Sequence, residues 1–357
     1  HFSDSSSTIN ISLLNGYVGD SVFNNSFGAI IKDKKNEFLN VLPDDHIFIE
    51  GKAQNFFENT NPGAFNYRKY MEDNGNYLQI KANTLKILHR PNWSIWRLVY
   101  KVRNYLANIL KNHLEIRELG VAQALVLGQK QYLETEIKQA FAGVGAMHIL
   151  AVSGLHVGLV FLLFSALFKP LINLPNGNII QTVLVITVIV CYAAITGFSP
   201  SVTRASLMFI LISLGIMLRR VENTYNTIFA SAFLMLIYQP KLLFNIGFQL
   251  SYIAVLGIIF IYPKLFKCLE PKYWITNKIW SLLCLALAAQ LVTFPLGLYY
   301  FHQFPTYFFI TNLVVIPAAF AVLFGGFALF FSNAFTELGF PLLKTLWDGS
   351  FKNSFGY

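Results

Sequence analysis

A chain of 357 residues that is 55% hydrophobic and only 13% charged has too few charges to clothe itself in water, since soluble domains carry about a quarter. This excludes a wholly soluble globular protein and demands a surface facing lipid, which the 34 phenylalanines also suit. The formal net charge of +9 is unevenly placed: residues 1–140 hold 16 Lys/Arg against 14 Asp/Glu, and residues 141–357 hold 11 against 4. The excess therefore sits on the apolar part and its loops, where it invites anionic lipid or another polyanion.

Residues 1–88 read as a small β domain. The segments 8–17, 26–31, 46–54 and 77–88 are short and β-branched or alternating, separated by Asn, Gly and Asp clusters. About four or five such strands suit a barrel of the OB type. Between strands, Asn61-Pro62-Gly63 is a turn signal leading into a short helix. Residues 89–140 read as helical and amphipathic. Between positions 90 and 117, Arg90, Arg97, Lys101, Arg103, Lys111 and Arg117 oppose the single acid Glu115, with Trp93, Trp96, Tyr100 and Tyr105 interleaved. A basic, aromatic helix suits the membrane interface; the same residues can also bind a single strand of nucleic acid by charge and stacking.

From residue 141 onward, apolar runs near 145–168, 178–197, 202–218, 225–239, 244–262, 278–300 and 306–332 predict seven membrane spans, the fourth of them short. If the spans alternate, Lys169, Arg219, Arg220, Lys264, Lys267, Lys272 and Lys278 share one side, against only Lys241 on the other. Short basic loops stay in the cytoplasm, which puts the β domain outside it. That orientation inverts if 145–168 re-enters the membrane on the side it came from. The three cysteines, Cys191, Cys268 and Cys284, form neither a disulfide framework nor a metal-binding spacing. A start at His1 and an end in SFKNSFGY read as a segment of a longer protein.

Two stretches carry polar groups at membrane depth. Gly143–Gly158 contains His148, Ser153, Gly154 and His156. Gly143 and Gly158 suit tight helix packing, whereas the histidines and serine are costly in lipid and call for a cavity or partner. Thr196–Ala205 places Ser199 as a helix N-cap, Pro200 at the first helical position and Arg204 one turn further in. Snorkelling to the interface is the plain use of such an arginine. Gln249, Gln290 and Asn312 add amides on later spans, and Thr293, Pro295, Gly297 and Pro317 mark bends, so a shared polar interior is expected. No H-x-H-x-D, H-E-x-x-H or G-x-x-x-x-G-K-[ST] run occurs. Metallohydrolase and P-loop ATPase motifs are thus absent from this chain, and no cofactor is expected.

The run His148-Ile149-Leu150-Ala151-Val152-Ser153-Gly154-Leu155-His156-Val157-Gly158 resembles the signature of the ComEC-type competence DNA channels. Thr196–Ala205, Asn245–Tyr252, Gln290–Tyr300 with Asn312-Leu313, and Asn61–Tyr67 match further motifs of that family in the same order. The resemblance implies a multi-pass protein of the bacterial inner membrane that imports single-stranded DNA during natural transformation. It also implies an OB-like domain outside the cytoplasm. Its partners would be single-stranded DNA, membrane lipids, a DNA receptor outside, a DNA translocase or single-strand-binding protein inside, and further copies of the chain. The family's barrel often carries a disulfide; here it has no cysteine. Many members also end in a metallo-β-lactamase-like nuclease domain and begin with two helices, neither of which this chain contains. The expected fold is therefore a polytopic α-helical membrane protein with an N-terminal OB-like β-barrel (1–88), an interfacial basic helix (89–140) and a competence-type bundle (141–357).

On this reading Arg90, Trp93, Trp96, Arg97, Lys101 and Arg103 receive the strand. It then passes His148, Ser153, Gly154, His156, Ser199, Arg204, Gln249, Gln290 and Asn312, eased by positive helix ends. Two alternatives stand beside it. One is an intramembrane hydrolase with Ser153 as nucleophile and His156 or His302 as base. The other is a transporter for a small anion or lipid-linked sugar, although the internal repeats common in such proteins are not visible.

Overall fold

A computed structural model describes residues 7–13, 16–18, 21–23, 27–33, 41–58, 66–73, 75–130, 132–150, 152–218, 223–269, 271–301 and 308–354. Side chains are described for most of these, except 142, 148, 301, 309, 310, 336–354 and most before residue 41. The expectations resting on Asn61–Phe65, Ala151, Arg219, Arg220 and His302 lie outside the described residues. Two compact units are present: residues 1–100 with 239–246, and the remainder.

The first unit is built on a four-stranded sheet in the order β1 (Ser7–Leu13), β4 (Phe27–Asp33), β6 (Asn76–His89), β5 (His46–Gln54), beside a two-stranded ribbon of β2 (Gly16–Val18) and β3 (Ser21–Phe23). β1 and β5 run antiparallel to their neighbours, while β4 and β6 are parallel. Ala29, Ile31 and Phe56 are buried in this unit. Helix α1 (Tyr67–Asp73) lies between β5 and β6 in the chain. Gly51 occupies a bulge where a Cβ would stand 2.3 Å from the Lys81 carbonyl, so only glycine fits. The strands fall where the alternation placed them. The closed barrel does not follow among the described residues: β1 and β5 each keep one unpaired edge, and the sheet is open.

The second unit is helical. After α2 (Ile95–His113) come α3 (Ile116–Leu127), α4 (Thr135–Gly143), α5 (Met147–Leu150) and α6 (Gly154–Leu167). These are followed by α7 (Gly177–Ile195), α8 (Pro200–Met217), α9 (Thr224–Tyr238), α10 (Ile246–Phe266), α11 (Trp274–Phe301) and α12 (Phe308–Ser354). Among the described residues, five stretches are long and apolar enough to cross a bilayer: 177–195, 200–217, 246–266, 274–300 and 311–335. The other two expected spans are shorter apolar helices, α6 with 14 residues and α9 with 15. At 1.5 Å per residue they reach only about 21–23 Å, against about 30 Å of hydrocarbon. The expected span 145–168 is not one helix: Met147–Leu150 forms a single turn, Val152 and Ser153 are non-helical, and a new helix starts at Gly154.

One core joins α6, α7 and α8 through Val157, Val160, Val185, Ile189, Tyr192 and Val202. A second surrounds α3, whose Ala122–Leu127 are all buried, and includes Ala146, Ile149 and Ala319. α3 ends at Gly128 in the left-handed conformation, φ 71°. A Cβ there would lie 3.2 Å from the Thr196 carbonyl and 3.3 Å from Val152. The end of α3, the break before α6 and the end of α7 therefore meet at one place.

Candidate functional site

The break before α6 is closed by its own side chains. Ser153, the N-cap, donates its backbone N–H to His156 Nδ1 (3.1 Å), and Ser153 Oγ lies 3.0 Å from the same nitrogen. A backbone N–H can only donate, so Nδ1 accepts and the proton of the neutral ring sits on Nε2. His156 is fully buried, and Nε2 has no partner among the described residues. The pair forms a capping box with histidine in the usual place of Glu or Gln. For hydrolysis the ring would need an acid to orient it, and no described hydrogen bond supplies one. His148 lies on the single turn of α5, and its side chain is outside the described set.

α6 packs against α8 in parallel, with the start of α6 beside Ala205, more than a turn into α8. A Cβ on Gly154 would stand 3.3 Å from the Ala205 Cβ, and one on Gly158 would stand 3.0 Å from the Phe209 ring. Gly154 and Gly158 thus set the spacing, as expected for Gly158. Gly143 has nothing within 4 Å, so the packing role expected of it is not realised. α8 starts as the sequence indicates, with Ser199 as N-cap and Pro200 at the first position. The Ser199 hydroxyl is buried without a partner among the described residues and makes no cap bond. Arg204, one turn on, does not snorkel: it is only 4% exposed, and its Nε and Nη1 have no partner among the described residues.

Arg204 lines a cavity of about 260 Å³ between α8, α9 and α10. Gly154 and Ser201 border it at one end and Thr224 and Thr227 reach it from α9; Ser251 comes from α10, while Met208, Phe209, Ile212, Ile228 and Val255 supply apolar wall. No acidic side chain is among the described lining residues, and Glu222, two positions before Thr224, lies outside the described residues. Ser201 and Ser251 stood within motifs visible in the sequence; Thr224, Thr227 and Phe209 did not. The only cue was the i, i+3 pair of threonines at the start of an apolar helix. Beside the cavity, the Tyr252 hydroxyl lies 3.1 Å from Ser231 Oγ, and that serine donates to the Ile228 carbonyl.

The other expected path residues lie elsewhere. Gln249 accepts from the Tyr300 hydroxyl (3.2 Å), binding α10 to α11. Gln290 and Asn312 are half-buried on α11 and α12, and neither lines the cavity. Of the nine path residues, the structure brings Gly154 and Arg204 to one cavity, with Ser153 and His156 at the adjoining helix start.

The expected strand-receiving residues divide in two. Trp93 (74% exposed), Trp96 and Lys101 are open to the surroundings. Arg90 and Arg97 instead converge on Asp45, whose side chain is fully buried. Arg90 donates from Nε (3.1 Å) and Nη2 (2.9 Å), and Arg97 also donates to the Pro43 carbonyl (3.1 Å). Burial works to raise the Asp45 pKa, but the bonds from Arg90 and the Leu42 N–H, with both guanidinium charges, hold it below its ordinary value. Arg103 donates to the Leu127 carbonyl (3.3 Å) at the end of α3.

The family model described as "Competence protein" matches residues 125–352. The chain is 28% identical over 284 residues to ComE operon protein 3 of Bacillus subtilis (strain 168), covering 80% of this chain and 35% of that protein. It is 32% identical over 175 residues to an uncharacterized protein of Aquifex aeolicus (strain VF5), covering 47% of this chain and 40% of that one. Over 146 residues it is 27% identical to Competence protein ComA of Neisseria gonorrhoeae, covering 40% of this chain and 21% of that protein. The chain thus spans well under half the length of these curated relatives. No solved structure matches it.

Proposed function

Because the chain belongs to the Competence protein family, we propose that it is the membrane-crossing part of a DNA-uptake machine and conducts a single strand across the bacterial inner membrane during natural transformation. The observation that carries this reading is Arg204, a cation buried among apolar helices with no acidic side chain among the described residues that line its cavity. A protein that only sealed the bilayer gains nothing from such a group, whereas a path for a polyanion needs one. The strand meets the exposed Trp93, Trp96 and Lys101 first. It then enters the bundle at the level where α6 begins. His148, Ser153, His156 and Ser199 lie along its route with Arg204, and Gln249, Gln290 and Asn312 provide neutral groups beyond. The N-terminal sheet belongs to an OB-like domain outside the cytoplasm. A DNA receptor delivers the strand there, a translocase or single-strand-binding protein takes it up inside, and further copies of the chain complete the assembly. No cofactor takes part in this scheme.

The test is uptake of labelled DNA in cells carrying Arg204→Ala at normal expression. Uptake should fall by about tenfold or more, the loss of one charge-assisted contact of about 1.5–3 kcal/mol. Unchanged uptake removes Arg204 from the path and leaves the proposal without its support.

A further inference from the structure

The turn between α7 and α8 has a backbone that its sequence does not favour. α7 closes in a Schellman motif: Gly197 donates its N–H to the Ala194 carbonyl (3.0 Å), and Phe198 donates to the Ala193 carbonyl (2.8 Å). Gly197 takes the left-handed conformation of that motif, φ 80°, without strain. Phe198 follows at φ 48°. The motif does not require this, and a bulky side chain is strained there. The conformation is held from the other side as well, because the Phe198 carbonyl accepts from Thr203 Oγ1 (3.2 Å).

Burial does not offset that strain in full. An apolar side chain at this position of the motif commonly folds back on the helix it follows, yet Phe198 is 40% exposed. Glycine would satisfy the backbone better. An aromatic ring kept part-exposed against its own backbone preference points to a use beyond packing.

The surroundings indicate what the ring meets. A Cβ on Gly197 would lie 3.9 Å from Arg103 Nη1, so a guanidinium stands at the same turn, anchored by its Nη2 to the Leu127 carbonyl (3.3 Å). A cation beside an accessible ring is the pairing that holds a single strand, the charge on a phosphate and the ring under a base. The start of α6 lies beside Ala205, so Phe198 stands outward of it along α8. Lys169 precedes α7 and Phe198 follows it, so the loop-charge argument puts Phe198 on the side from which the strand arrives. Lipid also accepts an exposed phenyl ring, but contact with lipid sets no demand on the backbone.

We propose that Phe198 is a base-stacking residue for the incoming strand, with Arg103 as its phosphate contact, and that the pair hands the strand on towards Arg204. Every base has a face to stack, so the contact is indifferent to sequence. The proposal rests on the uptake reading for the identity of the strand.

The experiment measures uptake of labelled DNA at matched expression, together with thermal unfolding of the purified full chain in a non-ionic detergent. Phe198→Gly removes ring and strain at once: Tm should stay at or above the wild-type value, while uptake falls about tenfold. Phe198→Leu keeps apolar bulk without a stacking face and should lose as much, whereas Phe198→Tyr should stay within about twofold of wild type. Unchanged uptake in Phe198→Gly or Phe198→Leu overturns the proposal. So does a loss of uptake that comes with a lower Tm, which makes the ring structural. A second arm reconstitutes Phe198→Trp in phosphatidylcholine vesicles and reads the fluorescence it adds to that of the five native tryptophans. Oligothymidylate should quench the added signal; quenching by brominated acyl chains without quenching by the oligonucleotide assigns the ring to the bilayer and overturns the proposal. Arg204→Ala separates this inference from the reading it rests on. Normal uptake in the Phe198 variants beside a loss in Arg204→Ala sinks the stacking residue alone. Normal uptake in Arg204→Ala sinks the path reading, while quenching at position 198 by the oligonucleotide still supports the contact.

Discussion

Asp45 shows how far a single carboxylate organises the first unit. It takes charge-assisted bonds from Arg90 and Arg97, which lie 45 and 52 positions further along the chain. Asp45→Asn removes the charge and should destabilise this unit by about 2–3 kcal/mol. The sign with pH follows from the depressed folded pKa. The unfolded carboxyl titrates near 3.8, so the stabilisation is complete above that value and disappears as the pH drops through the lower folded value. Melting curves of wild type and Asp45→Asn should differ by a constant amount at neutral pH and converge in acid; a gap that persists below the folded pKa contradicts this account. The sequence showed Arg90 and Arg97 as cations among tryptophans, which is equally the pattern of a nucleic-acid surface, and it could not show the distant acid that engages them. Arg204 was legible because a lone cation in an apolar run has few innocent uses. Its cavity was not, since Thr224, Thr227 and Ser251 reach it only through the packing of three helices.

The elements themselves were written plainly in hydropathy and in Gly, Pro and Asn punctuation. The glycines and serine of 143–158 signalled that the helix can break, but not where: Leu150, Val152 and Val157 are all buried, so the apolar run continues while Val152 and Ser153 are non-helical. Barrel closure also went beyond the pattern, because edge pairing depends on contacts that alternation does not encode. The hairpin of α10 and α11 is fastened near both ends. Tyr300 bonds Gln249 at one, and at the other Tyr262 lies 3.0 Å from Ser281 while the Trp280 indole donates to the Phe266 carbonyl. Midway, a Cβ on Gly257 would stand 2.2 Å from a Val292 methyl. Gly257→Ala should therefore lower stability by about 1–3 kcal/mol through overpacking, and adding Val292→Ala should restore most of it. Thermal unfolding of the single and double variants checks this; additive losses would mean the two residues do not meet.

At the scale of the whole molecule, seven apolar helices follow one another among the described residues, and five of these have the length to cross unaided. The charge argument needs α9 to cross despite its 15 residues; otherwise the lysines around Cys268 would join the side opposite Lys169. Hydrophobic mismatch of this size is met by local thinning of the bilayer. Cys268 and Cys191 are exposed free thiols and Cys284 is buried, so a charged, membrane-impermeant thiol reagent provides the test. It should label Cys268 in inside-out vesicles and spare it in intact cells. Labelling in intact cells would turn the bundle over. The start of α6 has a consequence of its own. Its dipole points a positive end at the level of Ala205, next in the chain to the Arg204 guanidinium, and no carboxylate is among the described residues lining the cavity there. Sodium and potassium are repelled there, so whatever ionic leak the protein permits in a planar bilayer should be carried by chloride, with a reversal potential that follows the chloride gradient and drifts towards zero in Arg204→Met.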